Sequence, residues 1–278
     1  MKVLIDENLK GKALYKFLVE NKSSLINQKK SGLPKTTDPV SCNLEFFNLK
    51  DNTASKTAIG NIPEDATSVR AKIVANTFMW MDSQRDVLLP GCADKTIKDG
   101  KGRLHLKDHT FKLDAEIGDV FNIYTQNLSL SELGVNKAGT VEVLIYESDV
   151  KKSYDEKVFT KYKAGKINQH SISLNYVKLD MAINDEDYKE EFANWNKYIS
   201  QIINKDEAEK AGFFWIVPEI RLIECSAVLA GANELTPTLE VGNKDTFSQP
   251  VQATEEKPLE PEAFNWSANI KQTKFINI

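Results

Sequence analysis

Histidine is the side chain best matched to proton transfer near neutral pH, and the chain has three of them: His105, His109 and His170. His105 and His109 stand four apart in Leu104-His-Leu-Lys-Asp-His109, where alternation predicts a strand that runs into a turn. That even separation puts both on one face of a strand, as it would on a helix, so a two-histidine metal site is geometrically open. No further ligand follows at diagnostic spacing and no His-Glu-x-x-His pattern occurs. The reading therefore assigns no metal and no cofactor, and gives His105 a structural or surface role. His170 directly precedes Ser171, and neighbours on a strand point to opposite faces, so His170 is badly placed to deprotonate Ser171. A serine nucleophile needs a base within hydrogen-bond reach and a third group to orient that base. His109 is the remaining candidate base. Glu224, in Leu222-Ile-Glu-Cys-Ser226, is a carboxylate inside an apolar run and must meet a cation, a histidine or solvent. Spacing alone leaves a Ser171–His109–Glu224 constellation open beside ordinary structural roles for all three.

Several elements must hold such residues. Val69, Ala71, Ile73 and Ala75 alternate with Arg70, Lys72 and Val74, Leu104 and Leu106 flank His105, and Thr140 to Tyr146 alternates in part, each predicting a strand. Ile172, Leu174, Tyr176 and Leu179 predict another. Gly91, Gly100, Gly102, Gly118 and Gly139 read as turns between these runs. Tyr188, Phe192, Trp195, Ile199 and Ile202 share one helical face, with Asn184 as its expected cap and Asp185, Glu186 and Asp187 at its positive end. That placement explains the acidic run better than a metal site does. Residues from Phe213 to Leu229 predict one buried strand or two, broken by Pro218.

The ends differ from the middle. The first 35 residues hold eight lysines against three carboxylates, and Ile5, Leu9, Ala13, Phe17 with Leu14 and Leu18 recur at helical spacing. That helix either docks on the chain's own core or binds a partner's acidic or apolar surface. Beyond Gly242, Pro250, Pro258 and Pro261 lie among glutamates with little periodicity, which predicts an extended tail. The expected organisation is a basic amphipathic segment over 1–37, a linker over 38–67, a main domain over 68–242 and the tail over 243–278.

Composition bounds the class. With 278 residues, 41% hydrophobic and 27% charged, the chain has the balance of a globular domain. A net charge of -4 argues against a protein that coats nucleic acid. The longest apolar run, Phe213 to Val217, is far below the ~18 residues of a membrane helix. Asp6 and Glu7 interrupt the opening apolar residues before a signal-peptide core forms, so a reducing intracellular setting is expected. Cys42, Cys92 and Cys225 are too few and scattered for a disulfide framework, and are expected to be free.

Four stretches, in order, resemble the prohead proteases of tailed bacteriophages, whose fold is that of herpesvirus assemblin. Asp86-Val-Leu-Leu-Pro-Gly-Cys92 is similar to that family's Asp-x-x-x-Pro-Gly-Ala segment. Leu106-Lys-Asp-His109 matches the stretch with its catalytic histidine. His170-Ser-Ile-Ser-Leu174 resembles its nucleophile strand, with Ser173 and Leu174 where the family has a glycine and an aromatic. Leu222 to Val228 followed by Gly231-Ala-Asn233 resembles its Glu-x-Ser-x-Val strand and small-residue sequel. The likeness spans roughly residues 68–240. It implies an α+β fold, a small β-barrel surrounded by helices, and a serine endopeptidase with Ser171 as nucleophile, His109 as base and Glu224 as third member. It further implies the major capsid protein and scaffold as substrates, self-cleavage, homo-oligomerisation, and action in the host cytoplasm inside an assembling prohead, with no membrane and no specific nucleic acid. The rival expectations are an inactive capsid component that keeps the fold, an unrelated binding module, and a metal-dependent hydrolase using His105 and His109.

Overall fold

The computed structural model describes Ile5 and residues 8–31 and 57–243. The expected tail beyond residue 243, most of the expected linker and Cys42 lie outside the described residues. Alternating Val69, Ala71, Ile73 and Ala75 bury one face of strand β2 (Ser68–Thr77), which follows the short β1 (Ala58–Ile59). Then come β3 (Asp86–Leu88), helix α3 (Asp94–Lys98), β4 (Leu104–Lys107), β5 (Glu116–Ser129) and β6 (Thr140–Lys151). Helices α4 (Glu156–Lys163), α5 (Lys189–Tyr198) and α6 (Lys205–Ala211) alternate with β7 (His170–Ile183) and β8 (Phe213–Ala227), and β9 (Thr238–Gly242) ends the described chain. The nine strands form one mixed sheet in the order β1-β9-β2-β6-β5-β4-β8-β3, with β7 antiparallel to β8.

The chain is thus mixed α and β, as expected, but the sheet is open and the expected closed barrel is not formed. Closure would need a strand pairing across from β7, whose only strand partner among the described residues is β8. Residues 233–236 bridge the gap instead. Thr77 Oγ1 donates to the Leu235 carbonyl and Asn233 Nδ2 to that of Thr77, while Thr236 Oγ1 accepts from the His170 N–H and donates to its carbonyl. Gly231 lies so close that a Cβ there would fall 2.6 Å from the His170 carbonyl oxygen.

Pro218 does not break β8. The strand runs on, and the proline, lacking an N–H, sits where partners change: β3 pairs parallel with Trp215 to Val217, and β4 with Cys225 to Ala227. The pairing with β7 also shifts register on either side of Lys178, which faces Glu219. Gly118 likewise lies inside β5 rather than in a turn. It needs no side chain because Ser148 Oγ and the Asp149 carbonyl lie within 2.8 Å of where a Cβ would be. Helix α5 starts at Lys189, five residues after the expected cap, because Asp185 caps a local turn by accepting from the Asp187 N–H.

The basic N-terminal segment forms two helices, α1 (Gly11–Glu20) and α2 (Lys22–Ser31), joined at Asn21. Both dock on the domain itself. Leu14, Leu18 and Leu25 are buried in the main core, each contributing about 1.5–3 kcal/mol. Their lysines meet the domain's carboxylates: Lys22 pairs with Asp180 and Glu191, and Lys29 with Asp86. Among the described residues no helix is long and apolar enough to cross a membrane. Cys92 and Cys225 are free and buried, and burial raises both thiol pKa values.

Candidate active site

Strand pairing sets the site. On β7 and β8, Ser171 stands opposite Ser226 and Ser173 opposite Glu224, so the four share one face. β4 runs parallel beside the end of β8, and its exit delivers His109 to that face. The exit is sharp: Asp108 and His109 both have a φ of 51°, a region non-glycine residues rarely occupy. Two bonds secure it, from the Asp108 N–H to the Ala227 carbonyl and from the His109 N–H to Ser226 Oγ, each 3.0 Å. Such backbone costs about 1–3 kcal/mol per residue and collects at functional sites.

The turned histidine meets the buried carboxylate. His109 Nδ1 lies 2.7 Å from Glu224 Oε1, and Ser226 Oγ donates to Glu224 Oε2 at 2.6 Å. A carboxylate that accepts from the ring puts a proton on Nδ1, and in the neutral imidazole the lone pair is then on Nε2. Nε2 is buried without a hydrogen-bond partner. Ser173 Oγ lies 3.1 Å from Nδ1, the nitrogen already engaged by Glu224, and serves as second acceptor of a forked bond. Of the three residues expected to act together, then, Glu224 and His109 are joined. No hydrogen bond joins Ser171 to His109, and the serine in contact with the imidazole is Ser173. Ser171, two residues before Ser173 on the same face, is buried and lines a small pocket with Asn76, Asp82, Asp86, Leu174 and Asn233. His109 does not line that pocket.

The other two histidines belong to a different network. His105 Nδ1 lies 2.9 Å from Ser148 Oγ, its Nε2 3.1 Å from Tyr162 Oη, and Tyr162 Oη 2.8 Å from His170 Nε2. His170 Nδ1 lies 2.8 Å from the Thr236 carbonyl, which only accepts. The proton directions follow from that end: His170 Nδ1–H donates to Thr236, Tyr162 O–H to His170, His105 Nε2–H to Tyr162, and Ser148 O–H to His105. Every position is satisfied with both rings neutral. Burial lowers the His105 pKa to about 3 and that of His170 to about 4. His105 and His109 therefore do not share a face, because the turn at Asp108 ends the alternation that put them together. Among the described residues no cluster of three or more His, Cys, Asp or Glu side chains is arranged to hold a metal ion.

Sequence reasoning missed Ser173 as a contact of the imidazole, although the residue stood out as a departure from glycine. It also missed Asn76. Asn76 Nδ2 is buried without a hydrogen-bond partner and belongs to the pocket that holds Ser171, while its Oδ1 accepts from Asn233 Nδ2. An unpaired amide donor beside a serine is what an oxyanion needs, but no local pattern in the sequence marks Asn76 for this.

No protein-family model, no curated protein and no solved structure matches the chain.

Proposed function

We propose that the chain is a serine endopeptidase of the prohead-protease kind, cleaving capsid and scaffold proteins, and itself, during assembly of a phage prohead. The observation that carries this reading is the buried His109–Glu224 pair, with Nε2 left as a free base on the face of β7 that holds two serines. The four ordered stretches of sequence likeness support the same reading, and it carries with it an assemblin-like fold left open where residues 233–236 bridge β2 to β7.

Ser171 is the nucleophile in this mechanism and Ser173 is not. Ser173 contacts the nitrogen that Glu224 keeps protonated, so the base nitrogen faces elsewhere. His109 Nε2 takes the Ser171 proton as Oγ attacks the peptide carbonyl, then gives it to the leaving amine. Glu224 holds the tautomer and stabilises the imidazolium. Asn76 Nδ2 donates to the oxyanion, an interaction whose loss typically costs about 10²–10³ in rate. Partners are the shell and scaffold proteins and further copies of the chain.

A fluorophosphonate probe tests the assignment, since attack on phosphorus with loss of fluoride marks the activated serine. Ser171 is expected to carry the adduct, Ser173→Ala to label still, and Ser171→Ala and His109→Ala to remain unlabelled. Labelling at Ser173 would move the nucleophile. One observation favours a second reading, an inactive structural component of the shell: Ser171 and His109 share no hydrogen bond. That reading predicts no adduct on either serine.

A further inference from the structure

The pocket that holds Ser171 also holds Asp86, and Asp86 has an unusual visitor. Its carboxylate is 1% exposed, on β3, and Lys29 of α2 reaches it at 2.6 Å. Tyr176 of β7 donates its hydroxyl to the other carboxylate oxygen. The ammonium stands 5.2 Å from the Tyr176 ring centroid and 5.1 Å from that of Trp215 on β8, within the range where an aromatic face attracts a cation. Carboxylate floor and aromatic walls all come from β3, β7 and β8, three neighbouring strands of the sheet. The cation alone comes from a separate element.

In α2, Leu25 is the one buried side chain, Ile26 packs beside it against the core, and Lys22 pairs with Asp180 and Glu191, while the rest of the helix is mostly polar. A pocket of about 400 Å³ opens beside Lys29, lined also by Leu25, Gln28, Phe213 and Trp215. Arg85 stands at its rim with its guanidinium 4.5 Å over Phe213. Tyr176 is five residues along β7 from Ser171, roughly 16 Å at the rise of a strand, a span an extended peptide covers in about five residues.

We propose that Asp86, Tyr176 and Trp215 form a binding slot for a basic side chain of a peptide, which Lys29 fills in cis and a substrate fills when α2 lifts away. The word substrate rests on the protease reading above; the slot itself does not. It makes α2 both a cover and a template, because the residue it inserts has the chemistry the slot selects.

The test uses the full chain and n-butylammonium, the end of a lysine side chain, read by the Trp215 indole resonance, with sodium chloride at equal ionic strength as control. Lys29→Ala is expected to show a saturable shift and the unsubstituted chain none over the same range. Lys29→Ala with Asp86→Asn should bind at least tenfold more weakly. Should Lys29→Ala not fold, Leu25→Ala loosens α2 while keeping every slot residue, and is expected to bind by displacing Lys29. A folded Lys29→Ala chain without a saturable shift, or one indifferent to Asp86→Asn, overturns the slot. The catalytic reading fails separately, by absence of any Ser171-dependent cleavage. If cleavage occurs and the cut sites lack a basic residue within five positions, the slot is not a substrate subsite.

Discussion

At the scale of single residues, chemistry depends on which nitrogen of His109 is free. Glu224 engages Nδ1 and Ser173 shares it, so Nε2 holds the lone pair. Glu224→Gln tests this directly. An amide can accept as readily as donate, the tautomer is no longer fixed, and phosphonylation of Ser171 is expected to slow by about 10⁴, the usual cost of losing the orienting carboxylate in such a triad. Circular dichroism should show the fold retained, and a rate within tenfold of the unsubstituted chain would remove Glu224 from the mechanism. Glu224 was legible as a candidate because a carboxylate in an apolar run demands a partner. The partner's identity followed from likeness of motifs, not from spacing. Ser173 and Asn76 were not legible, since their contacts arise where a turn and a second strand meet residues more than sixty positions away.

At the scale of elements, period-two patterns located β2, β4, β6 and β7, although only the first half of β2 buries one face alone and the other strands bury neighbouring residues on both faces. The same logic failed for β8, where Pro218 sits in the strand at a change of partners, and for Gly118, where close approach of β6 rather than a turn demands a small residue. It also gave α5 too early a start, since acidic residues suit a local turn as well as a helix end. The chain of hydrogen bonds through Tyr162 joins three strands, one helix and the segment before β9, and no local pattern announces it. Tyr162→Phe removes one hydroxyl that both accepts from His105 and donates to His170. Two buried ring nitrogens then lose their partner, at about 1–3 kcal/mol each. Urea unfolding is expected to show a loss of about 2–6 kcal/mol, and a change below about 0.5 kcal/mol would mean that the network contributes nothing.

At the scale of the whole molecule, the two buried neutral histidines tie folding to pH. Burial holds His105 near 3 and His170 near 4, while in the unfolded chain both titrate at about 6.5. Below pH 6.5 the unfolded chain binds protons that the folded one refuses. Their contribution is therefore complete above pH 6.5 and is lost as pH falls towards 4, at up to about 1.4 kcal/mol per pH unit for each histidine. Urea midpoints at pH 7 and pH 5 should differ in that sense, and equal midpoints would contradict neutral burial. The open sheet is the feature least legible beforehand, because barrel closure depends on what lies opposite β7, and residues 233–236 carry no strand pattern. Basic α1 and α2 meeting the acidic patches of β3, β7 and α5 was legible only as a charge contrast between the chain's start and its remainder. The central claim is peptide cleavage by Ser171, and the most direct measurement is the intact mass of the purified chain over time, alone and with the assembling shell protein, beside Ser171→Ala and His109→Ala. Defined fragments that form with the unsubstituted chain and vanish in both variants are the predicted result. Intact masses throughout, even at high concentration with the shell protein present, or the same fragments from all three chains, would contradict it.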